Sequence, residues 1–314
     1  MALRNLTFLL ICLLITSVNF AKTSTTTKIP IPSLLLCETN KNTVAHVVHN
    51  KMDWSYELDG PLRDVQPQPD GSFLVVGGTQ QVSLVRRVWK SFQVVWDWKK
   101  LETGLVESAA AADWDAEGHP ALVLAADSKT PRIFLAEAKS DRVKIRWEYK
   151  LPSPPRTVHL CPDSGNFLVI LKNSEVKEID YQNDKEVWAL GKNDGFKNIR
   201  DVVRDPWART YVADAVKGSI TCLDPRKKLV WETHLPFAPG AFQDIALSLF
   251  RKDNKRLILA SVHFVGADTK AGNVVYLLNT ETGKVLNWND RLEKGFYPNF
   301  FKATLNQAFY YQKQ

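Results

Sequence analysis

Polar side chains that could bind ions recur at the beginning of short apolar segments along the chain. Three are aspartates followed by a β-branched residue, in Arg63-Asp64-Val65, Arg200-Asp201-Val202 and Gln243-Asp244-Ile245. In the corresponding segments, the same position holds Ser108, Thr157 and Asn299. Three carboxylates together with amide and hydroxyl oxygens form a ligand set that suits calcium. One hypothesis is therefore a calcium site at Asp64, Asp201 and Asp244, with Asn299 beside them.

The residue that precedes this polar position is arginine in three segments: Arg63, Arg156 and Arg200. Guanidinium groups bind carboxylates and phosphates through paired hydrogen bonds, so these arginines could instead hold an anionic ligand. A structural interpretation competes with both hypotheses. Each polar side chain could accept hydrogen bonds from backbone N–H groups where its strand begins, and an architectural bond of this kind would repeat along the chain.

His159 is the best candidate for a catalytic acid or base. It follows Thr157 by two residues, so on a strand both side chains project to the same side. The alternative is a histidine that is simply hydrogen-bonded in the channel or core. His46 and His49 are three residues apart in sequence and would point to opposite faces of a strand, which argues against a metal-binding pair.

A longer polar segment, 264–273, contains glycine and is the best candidate for a variable binding loop. Aromatic residues occur in neighbouring segments: Phe237, Phe242, Phe296 and Tyr297. Their rings could stack on sugars or peptide side chains, or they could fill the core.

A tryptophan repeat identifies the elements that must position these residues. Tryptophan recurs at intervals of 41 to 57 residues, at positions 54, 96, 147, 188, 231 and 288. Such a period is typical of propeller blades or of large helical repeats. Each tryptophan follows a short apolar stretch and a polar turn, and the segments between these units turn at Gly or Asn. This alternation indicates β-hairpins, so the chain is predicted to be all-β.

Counting the hairpins predicts the closure of the ring. Tryptophan-bearing hairpins begin near residues 33, 82, 131, 175, 218 and 272, and the other hairpins begin near 60, 104, 154, 196, 240 and 295. The prediction is a six-bladed β-propeller of four-stranded blades, in which the last hairpin, 296–311, pairs with the first to complete a split blade. Seven blades is the alternative. The innermost strands would then carry the polar position around one mouth of a central channel.

The segment 278–288 reads LNTETGKVLNW and resembles the blade repeat of the pyrroloquinoline-quinone-like propeller superfamily. Weaker copies are found at 222–231 and 179–188, and the resemblance extends over about residues 33–314. It implies a propeller whose tryptophans pack between blades, but it implies little about activity. The quinone dehydrogenases of the superfamily are mostly longer and carry a vicinal disulfide. This chain has no adjacent cysteines, so no quinone cofactor is expected.

The N-terminal residues 1–21 have the pattern of a secretory signal peptide: Arg4, an apolar run over 6–18 and a small residue, Ala21. The run is shorter than the roughly 20 residues of a membrane span, although an uncleaved anchor is an alternative. The predicted organisation is a signal peptide at 1–21, a linker at 22–32 and a propeller domain at 33–314. The protein would be secreted or located in the periplasm or cell envelope, with no stable membrane span after cleavage.

Composition narrows the class of protein. With 45% hydrophobic and 24% charged residues, the chain is neither disordered nor a polytopic membrane protein. Its net charge of +7 is not concentrated in basic blocks, which argues against nucleic acid as a partner. After the signal peptide, Cys37, Cys161 and Cys222 allow at most one disulfide, and they are interpreted as buried residues.

Two functional classes remain. The sequence contains no phosphate-binding loop, nucleophile elbow, His-Glu-x-x-His or Cys-x-x-Cys motif, which favours a monomeric binding or scaffold protein rather than an enzyme. Such a protein would recognise a protein, peptide or carbohydrate through one face, or serve as a scaffold in envelope assembly. The alternative is a cation-dependent hydrolase or lyase with His159 as its acid or base.

Overall fold

A computed structural model shows an all-β, six-bladed propeller with four antiparallel strands in each blade. It describes residues 33–38, 42–49, 51–58, 60–68, 71–77, 81–98, 104–114, 120–139, 142–236, 242–252, 254–265, 271–289 and 301–305. Within these ranges, the helical structure is a single 3-10 turn at Lys192–Asp194. The prediction of an all-β chain with six blades is confirmed.

Five blades are continuous in sequence. Blade 1 contains β4 (Leu62–Pro67), β5 (Phe73–Gly77), β6 (Gln81–Val88) and β7 (Ser91–Trp98). Blade 2 contains β8 (Leu105–Trp114), β9 (Pro120–Asp127), β10 (Arg132–Lys139) and β11 (Arg142–Lys150). Blade 3 contains β12 (Pro155–Leu160), β13 (Phe167–Leu171), β14 (Val176–Asp180) and β15 (Lys185–Leu190). Blade 4 contains β16 (Ile199–Arg204), β17 (Thr210–Asp214), β18 (Ser219–Leu223) and β19 (Leu229–His234). Blade 5 contains β20 (Phe242–Lys252), β21 (Lys255–Val265), β22 (Ala271–Asn279) and β23 (Val285–Asn289).

Blade 6 combines strands from distant parts of the chain. It contains β1 (Leu34–Glu38), β2 (Thr43–Val48), β3 (Lys51–Glu57) and β24 (Phe301–Leu305), in the order β24-β1-β2-β3. The N-terminal segment therefore supplies three strands, where the sequence predicts a two-stranded hairpin. The second strand predicted for the C-terminal hairpin lies outside the described residues, so closure by two paired hairpins stays a prediction.

The hydrophobic core lies between blades. Six clusters of buried side chains are found among the described residues, and each joins two neighbouring blades. Pairs that represent the six interfaces are Leu84 and Leu124, Val123 and Val169, Ile170 and Val212, Tyr211 and Tyr276, Leu257 and Leu36, and Leu35 and Val75. Runs such as FLVVG in β5 and FLVIL in β13 are buried along their full length, because both faces of a middle strand contact other blades.

The repeated tryptophans sit on the outermost strands, and Trp147 and Trp231 form hydrogen bonds with the next blade. Trp147 of β11 donates a hydrogen bond from Nε1 to Oδ1 of Asp184 at 3.2 Å, in the β14–β15 turn. Trp231 of β19 donates to the carbonyl oxygen of Thr280 at 2.9 Å, in the β22–β23 turn. In five outermost strands, a β-bulge immediately precedes the tryptophan. A β-bulge increases local twist and re-aims neighbouring side chains, so the tryptophans share a repeated backbone feature.

The three cysteines of the propeller are buried thiols in the described part of the chain. Burial raises the pKa of Cys161 and that of Cys222 to about 12. Both thiols are therefore protonated and unreactive near neutral pH. The interpretation of these cysteines as buried residues is confirmed.

Candidate functional site

The first strands of the blades surround the central axis. Contacts between neighbouring blades join β4 to β8, β8 to β12, β16 to β20, β20 to β24 and β24 to β4. Each of these is the innermost strand of its blade, and β24 takes this place in blade 6. Because all blades are antiparallel with the same order, the six innermost strands begin at the same end of the axis. We call this end the mouth.

A β-bulge marks the mouth in each of the five continuous blades. The bulged residues are Arg63, Glu107, Arg156, Arg200 and Gln243. Each directly precedes the polar position predicted from the sequence. An extra residue in one strand leaves the regular ladder and redirects its side chain. The two predicted columns, arginine-rich and aspartate-rich, therefore correspond to a repeated backbone feature.

The polar position forms a hydrogen-bonded belt across blades 1 to 3. Asp64 accepts a hydrogen bond from the backbone N–H of Val65 at 2.9 Å and from the Ser108 hydroxyl at 2.6 Å. The Ser108 and Thr157 hydroxyls are 3.2 Å apart and also hydrogen-bonded. Asp64, Ser108 and Thr157 are all buried. These side chains thus connect β4, β8 and β12.

Asp201 continues this belt through blades 3 to 5. Its carboxylate accepts hydrogen bonds from the N–H groups of Val202 at 2.9 Å and Leu247 at 2.8 Å. Its Oδ1 also lies 2.8 Å from Nε2 of His159. Asp201 therefore connects β12, β16 and β20, which agrees with the structural interpretation of this position.

His159 lies on β12, two residues after Thr157, and its Nε2 contacts Asp201 of the next blade. Its side chain is 16% exposed and is oriented by Asp201, which is 5% exposed. A carboxylate that holds an imidazole is one component of a general base. The same carboxylate binds two backbone N–H groups, so the pair also holds blades 3, 4 and 5 together. A catalytic role for His159 stays a prediction.

Asp244 differs from the other two aspartates. It accepts a hydrogen bond from the N–H of Ile245 at 3.1 Å. Burial raises the pKa of Asp244 above its ordinary value; nearby Arg156 and Arg200 oppose the shift, and Asp201 adds to it. Asp244 therefore lies within the electric field of two arginines.

Arg63 is neutralised by a neighbouring bulge residue. Its Nη1 lies 3.2 Å from Oε2 of Glu107 in the next blade. Glu107 also accepts a hydrogen bond from Lys172 at 2.7 Å, and Lys172 donates to Asp127 at 2.9 Å. Two cations and two carboxylates thus form a balanced network over blades 1 to 3.

Arg156 and Arg200 have no equivalent network. No hydrogen bond or ion pair joins either guanidinium to another described residue; the Nε atom of each is buried without a partner, as is that of Arg63. Burial and the charge of Arg156 lower the pKa of Arg200, while Asp244 opposes this shift. Among the described residues, the mouth therefore has a compensated side at Arg63 and a positive side at Arg156 and Arg200.

The calcium hypothesis gains no support from these residues. In the part of the chain that the structure describes, no group of three or more His, Cys, Asp or Glu side chains could hold a metal ion. Asp64 and Asp201 direct their oxygens to serine, histidine and backbone N–H groups. Asn299 lies outside the described residues, so a cation site that includes it stays a prediction.

The predicted binding loop at 264–273 is shorter than expected. Phe264 and Val265 extend β21, and 271–273 belong to β22, because these strands pair up to Val265 opposite Ala271. Residues 266–270 lie outside the described ranges, as do Phe237, Phe296 and Tyr297, and nothing is described of the Phe242 side chain. Nδ1 of His46 lies 3.0 Å from Oδ2 of Asp53, and the His46 ring is tilted against the Trp54 ring with centroids 5.3 Å apart.

Sequence reasoning did not find the partners that divide the mouth into two halves. Lys172 lies in the β13–β14 turn and Asp127 ends β9, and neither belongs to a repeated motif. In blade 2, Glu107 occupies the position that is arginine in blades 1, 3 and 4. This reversal of charge is the sequence feature that could have indicated a pair with Arg63.

No protein-family model matches the chain, and no curated protein matches it in sequence. Among solved structures, the chain is similar to BBS1N in a crystal structure of its complex with ARL6DN. That match has a TM-score of 0.55 and 9% identity, and it covers 82% of this chain and 76% of the other. The chain is also similar to the β-propeller domain of Cps50 (Swd1) from Myceliophteria thermophila. Here the TM-score is 0.48 and the identity 14%, over 74% of this chain and 87% of the other. At these identities, the likeness to BBS1N shows the fold alone.

Within the described ranges, no helical segment has the length and hydrophobicity of a membrane-spanning helix.

Proposed function

We propose that this protein is a binding scaffold that recognises a protein ligand through the face of the propeller around the mouth. The observation that carries the proposal is the asymmetry of the polar ring. Hydrogen bonds of the belt occupy Asp64, Ser108 and Asp201, whereas the guanidinium groups of Arg156 and Arg200 are left without acceptors among the described residues. An architectural repeat alone gives no reason for this departure from symmetry.

The topology indicates which residues share this face. The connections that lead from one blade into the first strand of the next lie on this face. The turns between second and third strands lie on the same face. Exposed residues on this face include Lys129, Pro152 and Lys192. Turns between third and fourth strands lie on the opposite face, where Asn183 and Thr282 are exposed.

A propeller of similar fold is found in a complex with another protein. BBS1N, to which this chain is similar in structure, is in a complex with ARL6DN. This supports a protein ligand over a small metabolite, and the absence of linear catalytic motifs supports binding over catalysis.

We also propose export and a relationship to the pyrroloquinoline-quinone-like repeats. The N-terminal sequence pattern supports export. The docking of Trp147 and Trp231 on turns of the next blade supports the relationship. N-terminal sequencing of the mature protein tests export: a first residue at Lys22 is expected, and retention of residues 1–21 would contradict it.

Site-specific photo-crosslinking tests the binding face. A photoreactive phenylalanine analogue is placed at Lys129, Pro152 or Lys192 on the mouth face, and at Asn183 or Thr282 on the opposite face. The protein is produced in its native host and irradiated there. Crosslinks to one protein from the mouth face alone are expected. Crosslinks from the opposite face, or none from either face, would contradict the proposal.

A further inference from the structure

We infer that Arg156 and Arg200 form a binding site for one oxyanion group, a carboxylate or a phosphate, carried by the ligand. The inference rests on the proposed function, since it gives the chemistry of the group that enters the mouth. Of the three arginines that the sequence suggests for anion binding, Arg156 and Arg200 are retained and Arg63 is excluded.

The backbone places these two side chains together. Both are bulged residues, in the neighbouring strands β12 and β16, and both are directly followed by a member of the belt. Arg156 lies close enough to Arg200 for its charge to affect that guanidinium. Both residues are partly exposed, so a ligand can reach them from solvent.

The protein itself provides the comparison. Arg63 occupies the same bulge in blade 1, and there the next blade supplies a carboxylate, Glu107, at 3.2 Å. At the same bulge position, the blade that follows Arg156 carries Arg200, and the blade that follows Arg200 carries Gln243. A carboxylate from outside would give this half of the mouth the pairing that Glu107 gives the other half.

The electrostatics favour an external anion. Arg156 and Arg200 lie close enough for the charge of one to affect the other, and, unlike Arg63, neither forms an ion pair with a described carboxylate. A partly buried donor without an acceptor costs free energy, and hydrogen bonds between charged groups recover it. Asp244 is a buried carboxyl group that interacts electrostatically with both arginines, and one carboxylate balances only one of them. The guanidinium groups present planar forks that suit the paired oxygens of carboxylate and phosphate.

Anion titration of the mature protein tests the site. Inorganic phosphate and, in a parallel series, sodium glutamate are titrated at constant ionic strength, and binding is followed by calorimetry. Arg156→Gln and Arg200→Gln should each weaken binding about tenfold, the size of one lost charge-assisted hydrogen bond. The double variant should abolish binding. Arg63→Gln is the matched control, and its affinity should stay within about twofold of wild type.

The two series also distinguish the source of the oxyanion. Tighter binding of phosphate assigns a phosphorylated group, and tighter binding of glutamate assigns a carboxylate; either supports the site. Absence of binding in both series would overturn the inference. So would equal losses in Arg63→Gln and Arg200→Gln, or an unchanged affinity in the double variant.

Urea unfolding without added anion shows that the variants are folded. Arg156→Gln and Arg200→Gln should be at least as stable as wild type, because each removes one of two neighbouring like charges. If either fails to fold, Arg156→Lys and Arg200→Lys keep the charge and lose the fork, and reduced affinity is again expected. These measurements need no natural ligand. Their failure therefore leaves the crosslinking result intact, and a failed crosslinking experiment leaves the anion site intact.

Discussion

Equivalent residues of the ring have different surroundings, and their surroundings decide what they do. Asp64 and Asp201 each bind groups in another blade, whereas the hydrogen bond of Asp244 is to the next residue of its own strand. The following blade supplies a hydroxyl or N–H donor to Asp64 and Asp201, whereas the arginines near Asp244 belong to the two preceding blades. A repeated residue type therefore does not imply a repeated function.

The burial of Asp244 predicts a pH-dependent contribution to stability. Because its pKa is raised in the folded protein, folding favours the protonated carboxyl. The stabilising contribution is complete below the ordinary pKa of 3.8 and is lost as pH rises through the raised value. Asparagine stays neutral at all pH values. Asp244→Asn should therefore have a higher free energy of unfolding than wild type, and the difference should be larger at pH 7 than at pH 4.

Urea unfolding at both pH values measures this difference. Asp224→Asn is a matched control, because Asp224 accepts N–H bonds from Arg226 and Lys228 in a surface turn that asparagine can also form. A gain from Asp244→Asn that is equal at pH 4 and pH 7 would contradict the assignment.

A buried ion pair connects blades 3 and 4. Arg204 of β16 pairs with Glu178 of β14, and their side chains are 7% and 8% exposed. Glu178→Gln leaves the arginine charge buried without its counterion, which should cost about 3–5 kcal/mol of unfolding free energy. Glu148→Gln, in an exposed pair with Arg132, should cost less than about 1 kcal/mol. Equal losses in urea unfolding would show that the Glu178 pair is not a buried contact.

At the scale of elements, the turn between third and fourth strands is the docking surface for the preceding blade. Gly283 has φ of +69°, and a Cβ atom there would lie 2.6 and 2.8 Å from ring atoms of Trp231. The Thr233 hydroxyl also donates to the Gly283 carbonyl at 2.8 Å. The glycine thus allows blades 4 and 5 to approach closely.

Gly283→Ala should consequently lower the free energy of unfolding by more than the backbone strain of a left-handed residue alone. Gly165→Ala is the control, since Gly165 has φ of +75° and nothing within 4 Å of a Cβ atom. The control should cost about 1–2 kcal/mol from backbone strain. Gly283→Ala should cost about 1–3 kcal/mol more from overpacking. Equal midpoints in thermal unfolding would show that Trp231 does not pack on this turn.

At the scale of the whole molecule, blade 6 joins segments that are far apart in sequence. Cys37 of β1 lies directly opposite Lys302 of β24. Opposed residues of antiparallel strands have Cα separations that a disulfide can span. This register places a native cysteine where it can report the closure of the ring.

Lys302→Cys should form a disulfide with Cys37 under oxidising conditions. Intact mass measured without reductant should fall by two hydrogens, and the melting temperature should rise because the bond constrains the unfolded chain. Ala303→Cys, whose opposite residue is Leu36, should form no such bond because side chains alternate between faces. A bond in the control and none in Lys302→Cys would place β24 in a different register.

The sequence by itself determined the blade architecture. Strand alternation, turn residues and the tryptophan interval are properties of residues close together in the chain, and local alternation suffices to predict a β-strand. The starts predicted near 82, 175 and 218 agree with β6, β14 and β18. Alignment of the predicted first strands likewise identifies the polar position at Asp64, Asp201 and Asp244 from the sequence.

The role of each residue at that position depends on contacts between distant parts of the chain. The bond from Ser108 to Asp64, and the pairing of Arg63 with Glu107, join residues 44 apart in sequence. Such contacts depend on the angle between blades and on bulges that turn side chains out of the ladder, which local patterns do not encode. The difference between Arg63, which pairs with Glu107, and the two arginines without an ion pair to a described residue therefore follows from the packing of blades, because electrostatic partners are set by distance in space.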